Sequence, residues 1–346
     1  MQLRKLAQTA LNVSPVCLGT MTFGEQCDLA QSHRILDRAR ERGINFLDTA
    51  ELYPSPMKAE TYGETERHIG AWVKQRGGRD KVVIASKVAG PGGRIAYVRG
   101  GPKLVEAQVR VAVEGSLQRL NTDYIDLYQV HWPARSSNYF GRLGYYPRDD
   151  SGATPLAETL AALDALRIEG KIRHVGLSNE TPWGLMHALA VAKEQGFESV
   201  ASVQNPYSLL NRVFEIGLAE VCHRERVSML AYSPLAFGLL SGKYRNGAKP
   251  EGARLSLWAD YFDRYTQGLV PELAHQYCDA AEEHGLSPAQ MALAFVLSRA
   301  FIDSTIVGVT STEQLDMCID AAEMKLAKPV LKSIAKLHEK QPNPCP

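Results

Sequence analysis

Asp48 and Tyr53 stand in the run INFLDTAELY, Lys87 closes VVIASKV, and His131 follows DYIDLYQV. In each case a β-branched, apolar stretch that favours burial stops at or beside a polar group. A lysine ending a buried strand must lose its charge or find a partner, and Asp48 is the candidate counter-ion. An ammonium within reach of Tyr53 stabilises the phenolate, so Tyr53 is expected to titrate below the ordinary phenol value and to donate a proton near neutral pH. His131, bonding the same acceptor from another side, would stabilise negative charge growing on that oxygen. Together the four suit protonation of a carbonyl oxygen, and reduction by hydride transfer then needs only a cofactor. A Schiff-base reaction with Lys87 as nucleophile is a competing chemistry for the same residues.

Such residues converge only if the strands that carry them end on one rim. Short apolar runs occur at Val16 to Gly19, Asn45 to Thr49, Val82 to Lys87, Tyr124 to His131, His174 to Ser178, Ser202 to Asn205, Val227 to Tyr232 and Ser304 to Val307. Amphipathic segments with helical spacing lie between them: Gln31 to Arg42, Glu64 to Gln75, Val105 to Leu120, Leu156 to Glu169, Gly184 to Gln195, Glu215 to Arg224 and Pro271 to Glu283. Gly43, Gly170, Gly196 and Gly285 are placed as helix stops, and Ser287-Pro288-Ala289-Gln290 as a capping box. Eight βα units of about 40 residues each point to an α/β fold, a (β/α)8 TIM barrel in which one domain occupies residues 1–346. A doubly wound sheet is disfavoured because Gly19 to Gly24 does not supply a G-x-G-x-x-G turn. Two long segments, Gly90 to Pro102 and Pro133 to Thr154, follow strands and should overhang the C-terminal rim. Arg135, Arg142 and Arg148 in the second are expected to face solvent.

Composition is that of ordinary globular material: 346 residues, 45% hydrophobic and 22% charged. With 39 Lys and Arg against 38 acids, the balance gives no reason to expect a nucleic-acid or membrane partner. Small neutral or locally recognised ligands fit better, a small carbonyl substrate by the chemistry of the four residues above, and the oligomeric state is not legible. The six cysteines show no CxxC or Cys/His spacing, which argues against disulfides and a metal site and for reduced thiols. The N-terminus lacks a signal-like apolar core, and no stretch reaches the roughly 18 apolar residues of a membrane span, so a soluble, cytoplasmic protein is expected.

At these motifs the chain resembles the aldo-keto reductase superfamily, over essentially its full length, from VSPVCLGTMTFG to GVTSTEQL. The nearer resemblance is to the Tas-like branch, akin to voltage-gated potassium channel β subunits, through YQVHWP, QNPYSLLNR and LAYSPLAFGLLSGKY. It implies an NADPH-dependent oxidoreductase that reduces aldehydes or ketones to alcohols, with Asp48, Tyr53, Lys87 and His131 as catalytic tetrad and Tyr53 as general acid. Tyr62, which precedes Gly63, is a second tyrosine in reach of the motif, but the D-T-A-x-x-Y spacing selects Tyr53. By the same resemblance Ser178, Asn179, Gln204 and Tyr232 form the nicotinamide shelf, and Ser233, Pro234, Leu235, Gly238, Leu240 and Lys243 wrap the pyrophosphate. Arg254 would meet a 2′-phosphate, and with Lys243 favours NADP(H) as cofactor. Gly308 and Thr310 lead into a helix whose N-terminus suits a phosphate, with Thr310 and Glu313 as capping pair and Gln314 at the adenosine end. Met317 and Cys318 stand where many relatives carry an acidic residue and an asparagine. The alternative function is an NADP(H)-binding regulatory or scaffolding subunit with incidental turnover. Singly, these residues have plainer meanings: a satisfied structural histidine, a structural ion pair, solvated surface cations.

Overall fold

The computed structural model describes residues 1–345. In chain order its strands are β1 (Arg4–Lys5), β2 (Asn12–Val13), β3 (Val16–Gly19), β4 (Phe46–Asp48), β5 (Val83–Val88), β6 (Ile125–Val130), β7 (Ile172–Ser178), β8 (Ser202–Pro206), β9 (Ser228–Tyr232) and β10 (Ser304–Gly308). β3 to β10 are parallel neighbours and close on themselves, β10 pairing with β3, so the fold is a (β/α)8 barrel. The helices are α1 (Leu29–Glu41), α2 (Glu64–Arg76), α3 (Glu106–Leu120), α4 (Leu156–Ile168), α5 (Pro182–Gln195), α6 (Leu218–Glu225), α7 (Arg254–Leu257), α8 (Val270–Glu283), α9 (Pro288–Leu297), α10 (Thr312–Asp320) and α11 (Lys328–Lys340). Among the described residues no helix is long and apolar enough to cross a membrane. All six cysteines are free and buried.

Strand parity places the chemistry. Side chains alternate between the barrel interior and the helix-covered outside. Cys17, Phe46, Val83, Ala85, Leu127, Leu230 and Ile306 share one buried cluster inside the barrel. Two residues further along their strands, the same parity brings in Asp48, Lys87, Gln129 and Tyr232. Val16, Leu18, Leu47, Ile84, Tyr128 and Val130, on the opposite parity, belong to the larger core beneath the helices. The lower interior is thus apolar and the C-terminal layer polar, which is the layering that a barrel with chemistry at its rim requires. Leu6 and Val13 join the interior cluster from the β1–β2 hairpin and close the bottom.

All eight barrel strands fall on the apolar runs. The hairpin, α11 and the start of α6 do not follow the pattern: Glu215 lies in a 3-10 turn (Val213–Ile216) before α6, where it pairs with Arg212. Helices α1 and α4 stop at glycines with positive φ, Gly43 at 84° and Gly170 at 76°. The capping expectations need correction. Ser287 caps α9 without a side-chain bond, and α10 is capped one residue later than expected, by Ser311 accepting from the Gln314 amide, because Ser311 is the last extended residue before the helix. Arg135 does not face solvent: it pairs with the buried Glu180 and donates to Thr181 at 3.1 Å, clamping the root of the 133–154 segment to the end of β7.

Candidate active site

Asp48, Lys87 and His131 are all buried, at 2%, 0% and 8% exposure. The Lys87 ammonium donates to Asp48 Oδ1 at 2.6 Å and to the Thr49 carbonyl at 2.8 Å. It also lies 4.9 Å from the centre of the Tyr53 ring, close enough for its charge to act on the phenol. The His131 ring stands edge-on to Tyr53, centroids 5.7 Å apart. The four residues predicted from sequence therefore converge at one place on the C-terminal rim. Asp48 Oδ2 accepts from Gln204 Nε2 at 2.7 Å and Gln129 Nε2 at 3.3 Å, so the carboxylate is satisfied on both oxygens. Gln129 was missed in the sequence; its signal is parity, two residues before His131 on the inward side of β6.

Charge in the pocket is tuned by burial and neighbours. Burial opposes the Lys87 ammonium, yet Asp48 and Tyr53 together overcome it and raise its pKa. His131 is pushed well below the usual imidazole value by burial and by the Lys87 charge, so it is neutral at physiological pH, and its Nδ1 has no partner. Tyr53 corrects the expectation. Burial raises its pKa, and Lys87 pulls it down without reversing the direction. Desolvation of a phenolate at this depth exceeds the attraction of one ammonium that is already shared with a carboxylate. Tyr53 is accordingly a fully protonated donor at neutral pH, whose conjugate base Lys87 stabilises relative to an equally buried phenol without one.

Tyr62 is excluded as an acid. Its hydroxyl donates to Glu51 Oε2 at 2.8 Å, and burial and that carboxylate push its pKa far up. Trp132 forms the pocket wall, its indole N–H held by the Pro91 carbonyl at 3.0 Å and its ring 5.8 Å from Phe140. The segments 90–102 and 133–154 therefore meet at Trp132, beside His131.

The predicted cofactor residues lie along the opposite half of the rim. Asn179 donates to the His131 carbonyl at 2.9 Å and accepts from the Tyr232 hydroxyl at 2.6 Å, which fixes the Tyr232 ring at the pocket edge. Ser178 Oγ is spent on the Gln204 carbonyl at 2.9 Å, and Gln204 Nε2 on Asp48, so these two serve the site partly as braces. Ser233, Pro234 and Leu235 follow β9 into a run of tight turns in which Ser233 and Phe237 have positive φ, 56° and 57°. Leu240 is in the core at 1% exposure, and its amide and that of Gly238 both bond the Leu235 carbonyl, so neither amide is free for a ligand. Gly238 is favoured where it is because its φ of 95° lies in the left-handed region that L side chains rarely adopt. Gly308 ends β10, while Gln314 turns back onto the Thr310 amide at 3.0 Å. Cys318 points into the core at 1% exposure, so it cannot stand in for the expected asparagine.

Lys243 and Arg254 have no carboxylate partner among the described residues. Partial desolvation and each other's charge lower Lys243, burial lowers Arg254, and Arg254 Nε is buried without an acceptor. The Arg254 guanidinium lies 4.7 Å from the Phe237 ring. Two neighbouring cations, one with a buried donor lacking an acceptor, suit a phosphate. Arg264 and Tyr265, missed in the sequence, close on Tyr232 and Ser233 from the same segment. A nicotinamide dinucleotide thus fits the donor set: a phosphate on the cations, an aromatic ring edge at Tyr232, and the tetrad beyond.

The molecule is a (β/α)8 barrel with polar groups gathered at its C-terminal rim. The chain belongs to the aldo/keto reductase family, whose model matches residues 15–339. Among its relatives is Protein tas of Escherichia coli, 47% identical over the whole of both chains. An uncharacterized oxidoreductase, YrpG, of Bacillus subtilis is 34% identical over 96% of this chain and 95% of its own. Norsolorinic acid reductase A of Aspergillus parasiticus is 27% identical over 94% of this chain and 77% of its own.

Proposed function

We propose that the protein is an NADP(H)-dependent reductase of aldehydes or ketones, with Tyr53 as proton donor. The single observation that carries this is the buried Lys87 ammonium held on Asp48 and set against the Tyr53 ring, next to a neutral His131. When bound, the cofactor supplies the hydride that the carbonyl carbon receives. Tyr53 gives its phenolic proton to the carbonyl oxygen, and Lys87 stabilises the phenolate left behind. His131 orients the oxygen with a neutral hydrogen bond, and Asp48, held by Gln129 and Gln204, keeps Lys87 in place. Trp132 shields the reacting carbon from water. Lys243 and Arg254 hold a 2′-phosphate, which supports NADP(H) over NAD(H). A Schiff-base role for Lys87 is poorly supported, since its amine is fully buried, doubly hydrogen-bonded and held as ammonium.

The test is a fluorescence titration with NADPH and NADH, followed by loss of nicotinamide absorbance with a panel of small aldehydes and ketones. Saturable, NADPH-selective binding and carbonyl-dependent oxidation are expected. Tight NADPH binding with no turnover on any carbonyl would overturn the reductase reading in favour of a regulatory subunit.

A further inference from the structure

Between Asp48 and Tyr53 the chain carries a second carboxylate, Glu51, which the proposed chemistry does not use. It is completely buried. Its Oε1 accepts from the Ala89 amide at 2.6 Å; its Oε2 accepts from the Tyr62 hydroxyl at 2.8 Å and from Arg99. The Glu51 amide donates to the Lys87 carbonyl at 3.3 Å. One residue thus grips the end of β5 twice, on either side of Val88, while the next turn, closed by the Tyr53 amide on the Ala50 carbonyl at 3.1 Å, delivers the tyrosine. Arg99 reaches Glu51 from a bend in the 90–102 segment where three consecutive residues have positive φ: Arg99 at 50°, Gly100 at 72° and Gly101 at 106°. Guanidinium Nε and Nη2 are buried without partners, so Glu51 is what holds this cation.

We propose that Glu51 is a positioning residue for Tyr53: it staples the chain between the two tetrad members to Ala89, Tyr62 and Arg99 and so sets the separation of the Tyr53 hydroxyl from the Lys87 ammonium. This inference rests on the reductase reading for its kinetic consequence, not for its geometric one. The same wall carries a comparable buried pair, Glu66, which accepts from Ser86 Oγ at 2.5 Å and Arg119 Nε at 2.7 Å. That pair backs β5 and hydrogen-bonds no residue between Asp48 and Tyr53, its link to the staple being Arg119 over the Tyr62 ring at 5.2 Å. It is the internal control for a purely structural ion pair.

A Glu51→Gln exchange keeps shape but places an amide N–H₂ where donors must be accepted, so either Ala89 or the Tyr62 and Arg99 pair loses its acceptor. Because displacement of a reacting group by about 1 Å costs on the order of 100-fold, Glu51→Gln is expected to lower kcat by about 10- to 100-fold with NADPH affinity unchanged. The primary deuterium isotope effect on kcat should rise as the chemical step becomes limiting. Tyr62→Phe, which removes one donor and no charge, should lower kcat a fewfold. Glu66→Gln should cost stability without the kcat loss. With ¹³Cζ-labelled tyrosine, the Tyr53 resonance, assigned by its loss in Tyr53→Phe, should move in Glu51→Gln and by less in Tyr62→Phe, but not in Glu66→Gln. Its surroundings are Lys87, Asp48 and Arg254, none of which is altered. An unmoved resonance in Tyr62→Phe and Glu51→Gln, or an equal loss of kcat in Glu66→Gln, overturns the proposal. If Glu51→Gln does not fold, Tyr62→Phe decides alone. If the wild type reduces no carbonyl, the resonance still decides, so failure of the reductase reading and failure of the staple are separate results.

Discussion

The two halves of the barrel mouth handle charge in opposite ways. At the ends of β4, β5 and β6 every charge is answered within the chain: Lys87 by Asp48, the Thr49 carbonyl and Tyr53, and Asp48 by two glutamine amides. Past β9, Lys243 and Arg254 stand together with no carboxylate, each made less basic by its setting. The first half is completed by folding, because a lone buried charge would cost too much. The second is left cationic at some expense in self-repulsion, which the proposed phosphate would reverse. Substitutions in the first half should therefore damage turnover and stability together, and those in the second should damage binding alone.

The largest effect is expected at Tyr53. Tyr53→Phe removes the proton donor and should cut turnover by about 10²- to 10⁴-fold while NADPH affinity stays within twofold; a variant retaining wild-type turnover sinks the assignment of the acid. Lys87→Met leaves Asp48 buried and unpaired, and equilibrium urea denaturation should report a loss of about 3–5 kcal/mol. Pairing it with Asp48→Asn should restore part of that loss, because the orphaned charge is then gone. Arg254→Gln is the contrasting case. Its charge-assisted bonds to a phosphate are worth about 1.5–3 kcal/mol, so NADPH should bind roughly 10- to 100-fold more weakly and NADH unchanged. Thermal melting of the ligand-free protein should not fall, since removing one of two neighbouring cations relieves repulsion. A clear drop in melting temperature would show that Arg254 serves the fold and would erase the distinction between the halves.

The same division governs what was legible in the sequence. Asp48, Lys87 and His131 could be found because a strand's parity and its end are both written locally: Val83, Ala85 and Lys87 alternate inward, and burial of a lysine demands a partner. Gln129 obeys the same parity and was overlooked because an amide inside an apolar run carries no charge to flag it. Glu51 was hidden by proximity to Tyr53, and its partner Arg99 lies at the far end of a segment whose path depends on backbone conformations at Arg99, Gly100 and Gly101. The direction of the Tyr53 shift was misjudged because the ammonium is visible as a residue type, whereas depth of burial belongs to the assembled rim. Leu240 was read as a ligand contact, yet its side chain packs in the core: a motif aligns positions, and only packing decides which way a side chain turns.

The comparison can be sharpened by pH alone. The proposed carbonyl reduction would need Tyr53 protonated and His131 neutral. The Tyr53 pKa is raised above 10.0, so the protonated fraction declines only when pH passes beyond the ordinary phenol value. That of His131 is depressed well below 6.5, so the imidazole acquires charge only in distinctly acidic solution. Between these limits neither group changes state, and kcat at saturating cofactor should be level across neutral pH. Cofactor binding should behave otherwise. A phosphate monoester loses its second negative charge as pH falls through about 6, and the cations past β9 then attract it less. The KM for NADPH should consequently rise below about pH 6, while kcat does not change and the KM for NADH stays level. The effect is modest, a fewfold, but it separates the halves without altering a residue. A kcat limb centred near 6.5 would mean that His131 titrates normally and that the tetrad is more open to water than its burial implies.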